Sequence, residues 1–159
     1  MRRLPPNPAL GETILKITAH VDGASRGNPG PAGYGVYMQS DSGAIIEISG
    51  YLGRTTNNVA EYAGLVEALN VAAAEGATEV EIVSDSELLV KQMLGAYRVK
   101  HPNLIPMYQQ AKQLARKFGR FSIRHTLRAG NKDADRLANL GIDDAVERTV
   151  RRLPPHGAS

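Results

Sequence analysis

The segment ILKITAHVDGASRGNPGPAGYG, residues 14–35, joins an alternating stretch to a glycine-rich stretch. In residues 14–22, apolar and polar side chains alternate, which is typical of a β-strand with one buried face. The glycine-rich residues 27–35 then predict a turn. Because Asp22 ends the alternating part, the sequence places a carboxylate where the predicted strand meets the turn.

The rest of the chain predicts further strands and helices. They are, in order, strands at 35–39 and 44–50 flanking SDSG, a helix at 57–75, a strand at 79–84, helices at 86–94 and 107–118, a strand at 120–127 and a helix at 131–140. The 57–75 helix is apolar nearly all round, which indicates burial in a layer, and Gly76 is a typical C-cap residue. Asn131 is a good N-cap for the last helix. This order predicts an α/β fold with helices packed on a mixed sheet.

Composition excludes several classes of protein. A length of 159 residues suits one domain, and 42% apolar residues excludes a disordered chain. The chain has no Cys, which excludes a disulfide framework and a cysteine nucleophile. Without an apolar run of about 20 residues or a secretory signal, we expect a soluble cytoplasmic protein that does not enter a membrane. A net charge of +3 is compatible with a polyanionic partner.

The two ends differ from the middle in composition. Residues 1–12 and 143–159 are predicted to be flexible tails, which leaves residues 13–142 as the folded domain. The pentapeptide RRLPP occurs at 2–6 and at 151–155, and we interpret this as chance similarity between basic, proline-rich segments.

Four acidic residues lie at predicted strand ends or helix starts: Asp22, Glu61, Asp85 and Asp135. Each alone could be a turn residue, a cap or a partner of a helix dipole. Glu61, however, belongs to an apolar helix, where a carboxylate needs a partner. Clustered carboxylates without Cys or a closely spaced His pair favour Mg²⁺ or Mn²⁺. Four of them could hold two ions ~4 Å apart, an arrangement suited to phosphoryl displacement.

Each acid belongs to a longer motif. The motifs are DGASRGNPGPAGYG at 22–35, TTNNVAEYAGL at 55–65, IVSDSELLV at 82–90 and RAGNKDADRLAN at 128–139. With these motifs in this order, residues 14–140 resemble the ribonuclease HI family. The resemblance implies a ribonuclease H-like fold with a mixed five-stranded sheet in the order 3-2-1-4-5, with strands 1–3 antiparallel and helices on both faces.

The resemblance also implies a function, the endonucleolytic hydrolysis of the RNA strand of RNA–DNA hybrids by a monomer with no obligate protein partner. It implies two Mg²⁺ ions, with Mn²⁺ as a substitute, and products with 5′-phosphate and 3′-hydroxyl ends. Asp22 would bridge the ions, and Asp135 would share the ion that activates water. Glu61 and Asp85 would hold the ion that faces the leaving oxygen. Glu61 would also accept a hydrogen bond from a ribose 2′-hydroxyl.

Further residues match substrate-binding positions of the family: Gly23, Asn28, Asn57 and Asn58. An asparagine amide both donates and accepts hydrogen bonds, which suits contacts to bases and sugars in the minor groove.

The sequence departs from many family members in two features. They carry a loop histidine before the last aspartate, whereas here His125 belongs to the predicted strand and Arg128 lies at the loop mouth. Arg128 resembles the arginine of the shorter bacterial and archaeal branch. Because arginine stays charged, Arg128 is expected to stabilise phosphate charge or assist product release. The chain also has no Trp and lacks the basic protrusion that some members carry.

Three alternatives compete with this interpretation. A 3′-5′ exonuclease usually has two acids one residue apart on its first strand, whereas Gly23 and Ala24 follow Asp22 here. A DNA-junction resolvase would not explain the Asn-Asn-x-x-Glu segment. A hybrid-binding module without activity would not need all four acids.

Overall fold

The computed structural model describes residues 14–154. The elements are, in chain order, β1 (Lys16–Ser25), β2 (Gly30–Ser40), β3 (Ile45–Thr55), α1 (Asn57–Ala74), β4 (Glu79–Ser84), α2 (Glu87–Met93), α3 (Ile105–Ala115), β5 (Arg120–His125), a 3-10 turn (Arg128–Gly130), α4 (Lys132–Asp144) and β6 (Thr149–Leu153). The predicted N-terminal tail, residues 1–12, lies outside the described residues. No helix within residues 14–154 is long and apolar enough to cross a membrane.

The strands form one mixed sheet in the order β5-β4-β1-β2-β3-β6. β2 pairs antiparallel with both β1 and β3, while β4 pairs parallel with both β1 and β5. The predicted order of the first five strands, 3-2-1-4-5, is therefore confirmed. It places β1 in the interior of the sheet, between an antiparallel and a parallel neighbour.

Helices cover both faces of the sheet, as predicted. Successive residues of a strand point to opposite faces of the sheet. The neighbours Tyr34 and Gly35 of β2 accordingly face different helices. The space beside Gly64 of α1 is bounded by the Tyr34 side chain, whereas the space beside Gly35 is filled by Ala134 and Ala138 of α4. α1 and α4 therefore pack on opposite faces of β2, and both also contact β1.

The end of the chain corrects two predictions. Residues 143–159 do not form one tail, because α4 continues to Asp144 and β6 pairs antiparallel with β3. The sheet therefore has six strands, not five, and the folded domain continues past residue 142. Val150 packs against the core, and Arg152 forms a 2.6 Å ion pair with Glu75 at the end of α1. These long-range contacts, which leave no local pattern in the sequence, hold the basic segment in the sheet.

The start of β2 also differs from the prediction. The glycine-rich residues 27–35 were expected to turn the chain, but β2 already begins at Gly30. Position 35, within this strand, requires glycine because a Cβ there would overlap with the backbone of α4 at Ala134. Residues 27–35 are therefore rich in glycine for two reasons: the chain turns there, and a helix packs closely against the strand.

Candidate active site

Two acidic residues lie at the carboxyl end of the β1–β4 pair, but β1 continues past Asp22 to Ser25 in its pairing with β2, so the predicted strand end at Asp22 is wrong. The parallel pairing of β1 with β4 extends to Val21 and Ser84. Asp22 and Asp85 come directly after these two residues, so both carboxylates lie at the carboxyl end of the pair. Ligands of open α/β sheets commonly bind in the crevice outside the carboxyl ends of the strands.

α1 brings a third acid to the same point. A Cβ at Gly23 would overlap with the backbone at Ala60 and Glu61, so the glycine allows α1 to cross directly against β1. One carboxylate oxygen from each of Glu61, Asp22 and Asp85 lies within 4.8 Å of the others. Asp22 and Glu61 are buried, and Asp85 is half-buried.

α4 supplies the fourth acid, Asp135, from the opposite face of the sheet. Asp135 lines the same cleft of about 420 Å³ but lies outside the close three-acid cluster. Its carboxylate has its own partners, the Asn139 amide nitrogen at 3.4 Å and the Arg128 guanidinium at 4.0 Å. All four predicted acids therefore converge on one cleft, three of them closely.

The crowding of the acids changes their proton affinities. Burial, followed by the charges of Asp85, Glu61 and Asp135, raises the pKa of Asp22 far above its usual value. Burial and then the charge of Asp85 raise the pKa of Glu61 to about 7, although the nearby Ser86 side chain and the hydrogen bond from Asn57 oppose the rise. The neighbouring side chains therefore do not fully neutralise the negative charge of these acids.

This site fits a divalent metal ion. Its donors are carboxylate oxygens, the ligands that Mg²⁺ and Mn²⁺ prefer. Among the described residues, Glu61 Oε2 is a buried oxygen without a hydrogen-bond partner, an arrangement that costs free energy unless something binds it. A cation beside Glu61, Asp22 and Asp85 would satisfy that oxygen and neutralise the mutual repulsion.

The predicted substrate-binding residues lie around the cleft in different ways. Gly23 and Asn57 line it, and the Gly23 amide donates to Asp22 Oδ1 at 2.9 Å. Asn57 Nδ2 donates to Glu61 Oε1 at 2.8 Å. Asn28 is exposed and accepts a hydrogen bond from the Asn57 backbone N–H at 3.1 Å. Asn58 is also exposed, but it lies outside the cleft, in a small depression on the other side of Glu61.

Arg128 and His125 are placed differently. Arg128 lies in the 3-10 turn between β5 and α4, and its side chain, 82% exposed, lines the cleft. His125 is the last residue of β5, as its strand pattern predicted, and does not line the cleft. Because it is exposed, His125 is not a core residue either.

Asn131 occupies the predicted N-cap position of α4, but its side chain makes no capping hydrogen bond. The side chain is instead buried, and its Nδ2 donates to the carbonyl of Val21 at 2.9 Å. It thereby connects the residue before Asp22 to the start of the helix that carries Asp135.

Five further residues line the cleft and were not predicted: Ala24, Ser25, Arg26, Ser86 and Asn139. Each lies within a motif that also contains an acid, and Ser86 directly follows Asp85. Asn139 follows Asp135 by four residues, a spacing that puts two side chains on the same face of a helix. That spacing was a usable signal, whereas nothing local to Arg26 indicates its contacts.

The mixed sheet and the acidic cleft together define a ribonuclease H-like domain. A family model described as "Reverse transcriptase-like" matches residues 20–141. Ribonuclease HI of Halobacterium salinarum is 44% identical over 131 residues, which cover 82% of this chain and 66% of that protein. The chain belongs to the ribonuclease H family.

Solved structures agree with this assignment. The RNase H1 structure from Halobacterium salinarum matches with a TM-score of 0.77. The match covers 81% of this chain and 98% of the Halobacterium chain. The N-terminal RNase H domain of a Mycobacterium tuberculosis protein is 47% identical with a TM-score of 0.79, covering 82% and 96%. LC11-RNase H1 in complex with an RNA/DNA hybrid is 41% identical with a TM-score of 0.76, covering 81% and 98%. The chain spans 39% of the length of the mycobacterial curated relatives that it matches.

Proposed function

We propose that this chain hydrolyses the RNA strand of RNA–DNA hybrids endonucleolytically, with two Mg²⁺ ions, leaving 5′-phosphate and 3′-hydroxyl ends. The observation that carries the proposal is the convergence of Asp22, Glu61, Asp85 and Asp135 on one cleft of a ribonuclease H family chain. The similarity to LC11-RNase H1, whose structure contains an RNA/DNA hybrid, supports the substrate.

The geometry supports a division of labour among the acids. Asp22 belongs to the close cluster with Glu61 and Asp85 and shares the cleft with Asp135, so it would be the ligand common to both ions. Glu61 and Asp85 would share one ion with it, and Asp135 the other. Divalent ions at such a site supply activation of a water molecule and stabilisation of charge on the leaving oxygen.

The residues around the acids would recognise and hold the RNA strand. Asn57 Nδ2 already directs its hydrogen bond at Glu61, so these two groups present a donor and an acceptor side by side. Such a pair suits a ribose 2′-hydroxyl, which both donates and accepts. Arg128 is exposed and reaches to 4.0 Å from Asp135, so its guanidinium can contact a phosphate over the cleft. Asn28 and Asn58 flank this region and would contact the minor groove.

We also propose that the protein acts as a monomer in the cytoplasm. Support for the monomer is that one chain supplies all four acids of the cleft. Sedimentation velocity of the purified chain tests it, and a dimer at enzymatic concentrations would contradict it.

Cleavage of a 5′-labelled RNA annealed to DNA tests the activity and its products. We expect Mg²⁺-dependent internal cleavage and fragments that a polymerase extends, because they end in a 3′-hydroxyl. Asp22→Asn should abolish cleavage. The matched control Asp41→Asn changes an exposed acid near the opposite end of β1 and should cleave like the wild type. Cleavage that survives Asp22→Asn would contradict the proposal.

A further inference from the structure

The turn between β1 and β2 touches both helices that carry acids of the cleft. Within it, the Arg26 amide donates to the Pro31 carbonyl at 2.8 Å, which closes the turn on itself. Arg26 extends from the turn toward α4, and Asn28 extends toward the start of α1. The turn therefore joins two helices that pack on opposite faces of the sheet.

On the α4 side, Arg26 begins a chain of polar contacts that ends at an acid. Its Nη1 lies 2.7 Å from Asp143 Oδ1, and its Nη2 donates to Asn139 Oδ1 at 3.4 Å. Asn139 Nδ2 donates to the carbonyl of Asp135 at 3.0 Å and faces Asp135 Oδ1 at 3.4 Å. Because an amide accepts through oxygen and donates through nitrogen, Asn139 transmits the orientation of Arg26 to Asp135.

On the α1 side the turn holds the backbone of the helix. Asn28 Oδ1 accepts from the Asn57 backbone N–H at 3.1 Å, and the Asn57 side chain donates through Nδ2 to Glu61 Oε1 at 2.8 Å. One turn is thus two contacts away from Glu61 and two contacts away from Asp135.

We propose that Arg26 is a positioning residue that orients Asp135 through Asn139, with Asp143 as its anchor. The turn that carries Arg26 thereby sets the position of Asp135 relative to Glu61 across the cleft. The inference rests on the proposed metal site, since the orientation of Asp135 matters only if Asp135 is a ligand. Asp135 stands outside the close three-acid cluster, and the Asn139 side chain faces its carboxylate at 3.4 Å.

The competing role for Arg26 is a contact with a substrate phosphate. The two roles predict opposite changes in metal affinity when Arg26 is removed. If Arg26 were only a positive charge near the cleft, its removal would relieve repulsion of a cation and strengthen metal binding. If Arg26 orients Asp135, its removal weakens metal binding because a ligand is no longer held in place.

Titration calorimetry with Mn²⁺, in the absence of nucleic acid, tests the proposal. Arg26→Ala should weaken Mn²⁺ binding about fivefold, equivalent to ~1 kcal/mol, and Asp143→Asn should weaken it in the same direction. In an Asn139→Ala background, Arg26→Ala should have no further effect. The control is Arg148→Ala: Arg148 matches Arg26 in side-chain exposure, 49%, and in its 2.7 Å ion pair, here with Glu67. It should bind Mn²⁺ like the wild type.

Two results would overturn the proposal. Unchanged or tighter Mn²⁺ binding by Arg26→Ala would exclude a positioning role. The second result concerns binding of the hybrid in chelator. If Arg26→Ala binds the hybrid more weakly and with a shallower salt dependence, while Asp143→Asn binds it like the wild type, Arg26 is a phosphate contact. Mn²⁺ binding that survives Asp22→Asn would instead contradict the proposed metal site, so the two failures are distinguishable.

Discussion

Asp85→Asn should make the metal-free protein more stable at neutral pH while removing its activity. Asp85 provides the largest charge effect on the pKa of both Asp22 and Glu61. The amide keeps the shape of the side chain and removes that repulsion. The substitution is therefore expected to change stability and cleavage activity in opposite directions.

The structure gives the size of the effect. Raising the pKa of Glu61 from 4.5 to about 7 corresponds to ~3 kcal/mol of lost stability above pH 7. Burial is the larger cause and remains in the variant, so removing the charge of Asp85 should recover ~1 kcal/mol at Glu61. Asp22 should add a similar amount. For a domain of this size, ~1–2 kcal/mol corresponds to an increase in Tm of about 3–6 °C.

Thermal unfolding in chelator at pH 5 and pH 8 measures the gain. The difference between Asp85→Asn and wild type should be clear at pH 8 and small at pH 5, where Glu61 and Asp22 are protonated in the folded state. Asp41→Asn, an exposed acid elsewhere, should show no such difference. Cleavage of a hybrid should fall at least ~100-fold. A lower Tm than wild type at pH 8 would show that Asp85 does not repel Glu61 and Asp22, and near-normal cleavage would show that Asp85 is not a metal ligand.

Four other changes should have measurable effects. The free energy of unfolding in chelator should fall as the pH rises from about 4.5 to about 7, by ~2–3 kcal/mol through Glu61 and further through Asp22, because both folded carboxyl groups hold their protons more tightly than the unfolded chain does, and Mg²⁺ should restore it; urea titrations at several pH values check this. Arg128→Ala should lower kcat by up to ~100-fold without changing the shape of the pH–rate profile, and Arg128→Lys should recover only part of kcat. Asn57→Ala should raise the KM for hybrid by a factor equivalent to ~1–3 kcal/mol in steady-state kinetics. Gly23→Ala should destabilise the fold by at least ~1–3 kcal/mol in urea unfolding, because its Cβ overlaps with the backbone of α1.

The parts of the site that follow local patterns were predictable from the sequence. Asp85 directly follows a β-branched strand, so its position at a strand end was evident, whereas β1 continues past Asp22 to Ser25 and the predicted strand end at Asp22 was wrong. Glu61 stood out as a carboxylate in an apolar helix. The sequence also supplied the strand order, through the resemblance carried by the four motifs.

The contacts that depend on distant residues were not predictable. Residues 143–159 have the composition of a tail, and β6 forms only because β3 offers an edge and Glu75 a partner for Arg152. Asn131 has the residue type and position of a cap, yet its side chain bonds to Val21, 110 residues earlier. Arg26 and Asn139 are 113 residues apart, so their contact has no signature in either local segment.

Four acids of this chain are proposed to cleave the RNA of a hybrid with divalent metal. The most direct test of this proposal is cleavage of one sequence as RNA–DNA hybrid, RNA–RNA duplex and DNA–DNA duplex, each with Mg²⁺, Mn²⁺ and chelator. We expect internal cleavage of the RNA strand of the hybrid with metal, none with chelator, and none of the DNA–DNA duplex. Equal cleavage of the DNA–DNA duplex, or cleavage of the hybrid in chelator, would contradict the account.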